Sequence, residues 1–353
     1  GGTGWGDAFA TIGKALSVAG DYDFVFVADA TYNETDLNFN GSKIYLKGVD
    51  HNNAGQQPII DCQSSGRAFY FHSGETEDSV VDNFTIKNGS ANYGGAIHCS
   101  HSSSPTVTNC TFSSNSANHY GGAIYCESSN PTITHCTFSS NSASSGGVIY
   151  CTDSSLSITD CAFIRNSANL EGGAIYCNSS SPTVTNCTFS NNSADYNGGA
   201  VHCDSSSPTI TNCAFCGNGA SYSGGAIYCK SSSSLSLNNC ILWGNTAIGG
   251  GNEIYIYDSG SSCTLNYCCV DNTGYGGSGT IDDSNNCIHD DPQFVDAANG
   301  DYHLKDTSPC IDAGDNSLVP SGVDKDLDGK ERIVDGNNDG TATVDIGAYE
   351  HQP

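Results

Sequence analysis

The chain has 353 residues and a net charge of −27, with only eleven Lys and Arg, so it lacks the basic footprint that a nucleic-acid or anionic-lipid binder needs. Nineteen cysteines predict an oxidising, extracytoplasmic compartment and hence a secreted or cell-surface protein. No apolar run approaches the roughly 18 residues of a membrane span, and the lack of an initiator Met or signal peptide reads as a mature secreted chain.

Residues 1–21 read as an N-terminal cap. After Gly1-Gly2-Thr3-Gly4, the residues Trp5, Phe9, Ile12 and Leu16 fall at helical spacing, with Asp7 as the expected N-cap. Such a helix would cover the first rung of a stack. Residues 22–90 carry short apolar runs without intervening helices: Phe24–Val27, Lys43–Leu46, Pro58–Cys62, Ala68–Phe71 and Asn83–Gly89. They predict an all-β solenoid rather than βαβ units.

Residues 91–270 form a regular array. The hexapeptide Gly-Gly-Ala-Ile-Tyr-Cys begins at Gly121, Gly172 and Gly224, with variants from Gly94, Gly146 and Gly198 and a degraded copy from Gly249. The steps are 25 to 27 residues, the signature of a repeat architecture. Within a unit, period-two alternation points Ile97, Cys99, Val107, Cys110 and Phe112 inward and His98 outward. Three short strands and three corners fit in each unit, which is one coil of a parallel β-helix.

Stacked coils align equivalent residues into columns about 4.8 Å apart. Phe112, Phe138, Phe163, Phe189 and Phe215 form one, continued by Leu242 and Val270. Asn109, His135, Asp160, Asn186, Asn212 and Asn239 form a tight-turn column tolerant of left-handed geometry. Asn115, Asn141, Asn166, Asn192, Asn218 and Asn245 form another, whose amides are expected to bond from rung to rung. The paired glycines belong where a corner forbids a Cβ or needs positive φ. Residues 271–353 leave the period and hold seventeen acids between 282 and 350 against four Lys and Arg. They predict an irregular acidic C-terminal cap and tail with little apolar mass.

The Gly-Gly-Ala-Ile and Phe-x-x-Asn alternation resembles the repeats of polymorphic outer-membrane proteins, right-handed parallel β-helices of the pectin-lyase-like type. Trp5–Ile12, Asn83–Gly89, Asp291–Phe294, Asp301–Leu304, Ser308–Gly314 and Asp345–Glu350 resemble the ends of a broader group of secreted β-helix proteins. Their C-terminal module often precedes a surface-sorting signal. The resemblance implies a right-handed parallel β-helix over nearly the whole chain and leaves the activity open.

Several columns are candidates for chemistry. Cys99, Cys126, Cys151, Cys177, Cys203 and Cys229 form one; Cys110, Cys136, Cys161, Cys187, Cys213, Cys240 and Cys268 form another. Rung spacing lies inside the Cα range of a disulfide, so these columns are cross-rung disulfide candidates or else rows of buried thiols. An odd total leaves at least one thiol unpaired, with Cys216 and Cys269 expected at the surface. The lone Cys213-x-x-Cys216 lacks the second pair of a zinc site. An outward aromatic column runs Tyr45, Tyr70, His98, Tyr125, Tyr150, Tyr176, His202, Tyr228 and Tyr255. It reads as a self-stacked ladder or as the anchor row of a protein or glycan contact. Flanking Thr-x-Thr rows, such as Thr106/Thr108 and Thr132/Thr134, are similar to the ice-binding face of some insect antifreeze proteins.

Catalysis by a lyase or glycosidase would need carboxylates converging on one face, and the outward strand positions are monotonous. His135, Asp160, Arg165 and Glu171 come nearest to an interruption. In the tail, Asp324, Asp326 and Asp328, and again Asp335, Asn337 and Asp339, follow the start of a calcium loop, so calcium is the one cofactor expected. The sequence therefore predicts a rigid, non-catalytic extracellular rod of about eleven rungs, roughly 50 Å long. It would act as an adhesin, a stalk or a filament subunit, with itself or a cell-surface or host protein as partner. A polysaccharide-binding or -cleaving β-helix is the alternative, and ice binding a lesser one.

Overall fold

The computed structural model describes residues 2–53 and 55–352; Gly1, Ala54 and Pro353 lie outside the described residues. Parallel strands stack into four long sheets of 11, 10, 9 and 7 strands, here termed A, B, C and D in that order. Together they wind a β-helix of about nine complete turns. One coil runs from Ile97–Cys99 in sheet C through Thr106–Thr108 in A and Thr111–Ser113 in B to Ser116–Tyr120 in D. Each regular coil thus has four short strands rather than three. The additional one is the Ser-Ala pair after the column asparagine, as in Ser142–Ala143, which is just long enough to bridge its neighbours.

The columns follow from register. Phe112, Phe138, Phe163, Phe189 and Phe215 face one another across sheet B. Their rings stack at 4.5–5.0 Å, a geometry worth about 0.5–1.5 kcal/mol per pair beyond burial. The turn column has positive φ at Asn109, His135, Asp160, Asn186, Asn212 and Asn239. The two glycines of each repeat do different work. The first turns the corner, as at Gly121 with φ +67°, and the second makes room, since a Cβ on Gly122 would lie 2.1 Å from the Gly147 carbonyl oxygen.

The asparagine ladder holds the corner between sheets B and D. Each side-chain carbonyl accepts from the backbone N–H and the amide of the preceding asparagine, as Asn141 does from Asn115, both at 3.0 Å. The amide also donates backward to a backbone carbonyl, as Asn141 does to Phe112 at 3.1 Å. Buried polar groups are thereby paired along the bore.

Both cysteine columns exist in register, yet all nineteen cysteines are thiols. The cross-rung disulfides are absent. Strands in direct parallel register hold the thiols side by side, and corner sulfurs bond to backbone carbonyls instead, as Cys136 does to Thr134 at 3.2 Å. Burial pushes thiols such as Cys110 and Cys263 well up, which keeps them unreactive.

The ends differ from expectation. Helix α1, Ile12–Leu16, buries Ile12 and Leu16 over the first rung, but its N-cap is Thr11, which accepts from Lys14 N–H at 3.2 Å. Asp7 bonds instead to Gly4 N–H at 3.0 Å. At the other end, Tyr275–Gly277 and Thr280–Asn285 still extend sheets C and A. The remaining chain does not trail away as a tail. Phe294, Tyr302, Leu304, Cys310, Ile346 and Ala348 pack on the outer face of sheet B against Ala214, Cys216, Ile241 and Cys269. Cys216 and Cys269, expected at the surface, are therefore buried. Outward apolar residues on consecutive rungs recruited a cover.

Candidate functional site

The aromatic column was the leading sequence candidate, and the fold redraws it. Tyr45 does not belong to it, because it pairs with Phe24 and Val80 in sheet A. In sheet C the column runs from Tyr70 through His98, Tyr125, Tyr150, Tyr176, His202 and Tyr228 to Tyr255. Period two turns these rings away from the bore, but most are closed to solvent, with Tyr70, His98 and Tyr255 half-buried. Tyr125, Tyr150, Tyr176 and Tyr228 are buried, and His202 completely so. Rings stack along the axis, with Tyr150–Tyr176 at 4.8 Å and Tyr176–His202 at 4.6 Å. Tyr93 and Tyr120 lean over from the sheet D side, Tyr120 stacking on Tyr150 at 4.3 Å. Lys230 bridges Glu171 at 3.8 Å and Asp204 at 3.3 Å beside His202. The column is a closed ladder.

Its two histidines are neutral inserts. Arg67 Nη1 donates to His98 Nδ1 at 2.5 Å, and burial followed by the guanidinium charge pushes His98 down to about 4. Burial pushes His202 down to about 3. Both ring nitrogens of His202 are buried without a close hydrogen bond, the Asn197 backbone being the polar group that approaches them.

The open apolar surface lies one corner away. Leu170, Tyr196, Tyr222 and Ile248 are 44 %, 45 %, 56 % and 87 % exposed. Backbone bonds place Leu170, Tyr196 and Tyr222 in line on successive rungs, Tyr196 N–H donating to Leu170 O and Tyr222 N–H to Tyr196 O, both at 2.9 Å; Ile248 follows on the next rung one residue out of line, its N–H donating to Ala220 O at 3.3 Å. The Tyr196 and Tyr222 rings stack at 5.0 Å. A signal for this stripe was available, since Leu170, Tyr196 and Tyr222 each stand two positions before a repeat glycine, Gly172, Gly198 and Gly224. The Tyr of the hexapeptide drew attention because it recurs. The stripe residues vary in kind and share only their position.

A polar cleft of about 500 Å³ opens at the corner between sheets A and B, lined by Lys47, Gln57, Asp82, Asn109 and His135 among others. Asp82 is buried. Its carboxylate accepts from Asn109 at 2.7 Å, Tyr45 at 3.1 Å and Lys47 at 3.0 Å. Gln57 donates to Asn83 Oδ1 and to the Asn109 carbonyl, both at 2.9 Å. His135 Nε2 lies 3.4 Å from Asp160, which accepts from Asn186 at 3.1 Å. Of the interrupting residues, His135 and Asp160 meet. Arg165 follows at the next corner of the same coil and Glu171 stands beside the aromatic ladder. Lys47, Gln57 and Asp82 were missed because they precede the regular array and no period marked them.

The acids of the C-terminal module serve its own backbone. Asp326 is buried and accepts from the N–H groups of Asp328 at 3.0 Å, Lys330 at 2.8 Å and Glu350 at 2.9 Å. Asp335 accepts from Asp339 and Gly340 N–H, both at 2.9 Å, and Asn337 from Asp339 N–H at 2.9 Å. Asp328 meets His303 at 2.8 Å and Lys330 at 3.5 Å. Asp324 adds no further ligand: no group of three or more His, Cys, Asp or Glu side chains among the described residues is arranged to hold a metal ion. These carboxylates act as Asx-type loop braces.

Beneath them lies a buried cluster. Arg332 faces Glu350 at 3.7 Å and donates to the Gly347 carbonyl at 2.5 Å. Burial pushes Asp345 up to about 6 and, with Asp345 beside it, raises Glu350 as well. The module is moored to the rod through Asn186, whose amide donates to the Lys325 carbonyl at 2.8 Å. Asn239 adds a reciprocal pair with Asp315 at 2.9 and 3.1 Å. No helix among the described residues is long and apolar enough to cross a membrane.

Residues 27–215, and again 147–312, match the family described as "Right handed beta helix region". No curated protein matches the chain.

Proposed function

The chain belongs to the right-handed β-helix family, and from that premise we propose that it is a non-catalytic extracellular rod that works by contact, as an adhesin, stalk or filament subunit. One observation carries the reading, the exposed stripe of Leu170, Tyr196, Tyr222 and Ile248 along the axis. Contiguous apolar residues on successive rungs are unusual on a soluble surface and mark interaction sites. Backbone hydrogen bonds between rungs fix their spacing.

Negative-stain images and light scattering over a concentration series test this directly. Association that is lost in a Tyr222→Ser, Ile248→Ser double variant of unchanged Tm supports self-assembly. Rods that stay solitary, with no binding to cell-surface or host protein, defeat the contact reading.

The polar cleft favours a second reading, in which a polysaccharide is bound or cleaved. The family's fold is also used by pectate lyases and glycosidases, and His135 with Asp160 could move a proton. Against it, Asp82 and Lys47 are already bonded to each other. Turnover on a panel of acidic polysaccharides, abolished by His135→Ala, would replace the rod reading. Ice binding has less support, since Thr185 and Thr211 of the Thr rows are buried.

A further inference from the structure

Two adjacent cysteines near the end of the array have different fates. Cys268 continues the corner column inward, where its thiol meets the Cys240 backbone N–H at 3.4 Å. Cys269 follows in the opposite sense and faces out of sheet B, beneath the C-terminal module. There it meets Cys310, which the Ser308–Gly314 segment lays over it. The two residues share one apolar cluster with Phe294, Tyr302, Leu304 and Ile346, and both are completely buried. Cys269 Sγ donates to the Asp290 carbonyl at 3.3 Å, and burial beside the Cys310 thiol raises the Cys269 thiol. Cys310 is held in place by its own backbone, its N–H bonded to Ser308 Oγ at 3.1 Å and its carbonyl to Ile346 N–H at 3.0 Å.

This pair differs from the column pairs. Neighbours in the sheet C column belong to strands in direct register, and those in the corner column bond to backbone N–H and carbonyl groups, so the backbone dictates how the sulfurs of both sit. Cys269 and Cys310 belong to segments that share no strand pairing, so each side chain can rotate toward the other without disturbing a ladder. A bond between them would also close the chain between residues 269 and 310. That would tie the module to the rod and restrict the unfolded chain, the usual origin of disulfide stabilisation.

We propose that Cys269 and Cys310 are a cross-linking site, oxidised to a disulfide that staples the C-terminal module to the outer face of sheet B. The oxidant is a low-molecular-weight disulfide. One cysteine, as thiolate, attacks it and displaces one small thiol, forming a mixed disulfide. The second cysteine, as thiolate, then attacks that bond and displaces the other small thiol. Two protons and two electrons leave the protein, and one small disulfide becomes two small thiols. Because both sulfurs are buried and burial raises the Cys269 thiol, the exchange takes place while the module is docking or briefly lifted.

The test uses the whole chain. Folded, reduced protein is incubated with glutathione disulfide, unreacted thiols are alkylated under denaturing conditions, and peptides are mapped by mass spectrometry. The expected product is a peptide pair linked through Cys269 and Cys310, with the column cysteines alkylated. Oxidation should raise Tm by several degrees in the unsubstituted protein and leave Cys310→Ser unmoved. Cys310→Ala serves the same purpose if the serine variant folds poorly. Recovery of both cysteines alkylated after oxidation, or of Cys269 linked to Cys216 or Cys268, overturns the proposal, as does an equal Tm rise in the Cys310 variants.

Discussion

Glu253 accepts two hydrogen bonds from Asn245, from its backbone N–H at 3.2 Å and its side-chain amide at 2.5 Å. It is the acceptor that Asn218 finds in Asn245 and Asn192 finds in Asn218. Where the repeat runs out of asparagines, a carboxylate from the degraded glycine segment closes the ladder. Replacing it with alanine leaves two buried donors unpaired, at a cost of about 2–3 kcal/mol. We expect Glu253→Ala to lower Tm and to loosen sheet D first, read by hydrogen exchange at Asn245 and Thr246. Unchanged exchange there would show that the ladder does not need its terminal acceptor.

The same residue sets a pH dependence. Burial pushes Glu253 up to about 7 from an ordinary 4.5. Between those values the folded chain binds more protons than the unfolded one, so this contribution to stability is complete below pH 4.5 and lost as pH rises to 7. Asp345, pushed up to about 6 from 3.8, acts in the same sense between its own limits. Denaturation midpoints measured between pH 5 and 8 should fall less steeply with rising pH in Glu253→Gln than in the parent. Parallel curves would reject the assignment.

His202 has the opposite linkage. Its nitrogens make no close hydrogen bond while its ring stacks between Tyr176 at 4.6 Å and Tyr228 at 4.9 Å, so an apolar ring should serve better. His202→Phe is expected to stabilise by about 1 kcal/mol. Burial holds His202 at about 3 against an ordinary 6.5, so the parent loses stability as pH falls below 6.5. The variant's advantage should be larger at pH 5 than at pH 8. A lower Tm in the variant at both would mean that the site needs a polar ring.

The paired glycines give a sharper contrast. Gly122→Ala puts a Cβ 2.1 Å from one backbone carbonyl oxygen and 2.6 Å from another, whereas Gly244 has nothing within 4 Å and only its φ of +70° to defend. Gly244→Ala should cost about 1–2 kcal/mol, and Gly122→Ala should cost several times that or fail to fold. Thermal melts of the two variants decide it.

Asp326 should behave as a brace and not as a calcium ligand. Asp326→Ala strips an acceptor from three backbone N–H groups, so limited proteolysis should cut 324–350 faster while the rod stays protected. Added calcium should neither raise the parent's Tm nor rescue the variant. A calcium-dependent rise in Tm would restore the metal reading of the Asp324–Asp328 segment.

Most of the rod was legible because its information is local and repeated. The Phe112 column, the left-handed corners at Asn109 and its equivalents, and the Asn115 ladder all follow from alternation and period. Tyr45 shows where this fails. Before residue 91 the coils vary in length, so counting backward assigned a sheet A tyrosine to the sheet C column. The burial of the Tyr125–Tyr228 ladder was illegible for a different reason: what covers it, Tyr93, Tyr120 and Lys230, comes from other rungs.

The sequence alone determined the β-helix, since a recurring pattern of inward apolar and corner residues can be buried in only one stacked arrangement. Only tertiary structure decided which outward residues stay outside. Period two settles that Tyr150, Tyr222 and Cys269 point away from the bore, or sit at a corner, but not what lies beyond them. The C-terminal module covers Cys269, the ladder's neighbours cover Tyr150, and nothing among the described residues covers Tyr222 to the same degree. Contacts between distant segments depend on how the finished surfaces fit, and no periodicity records that.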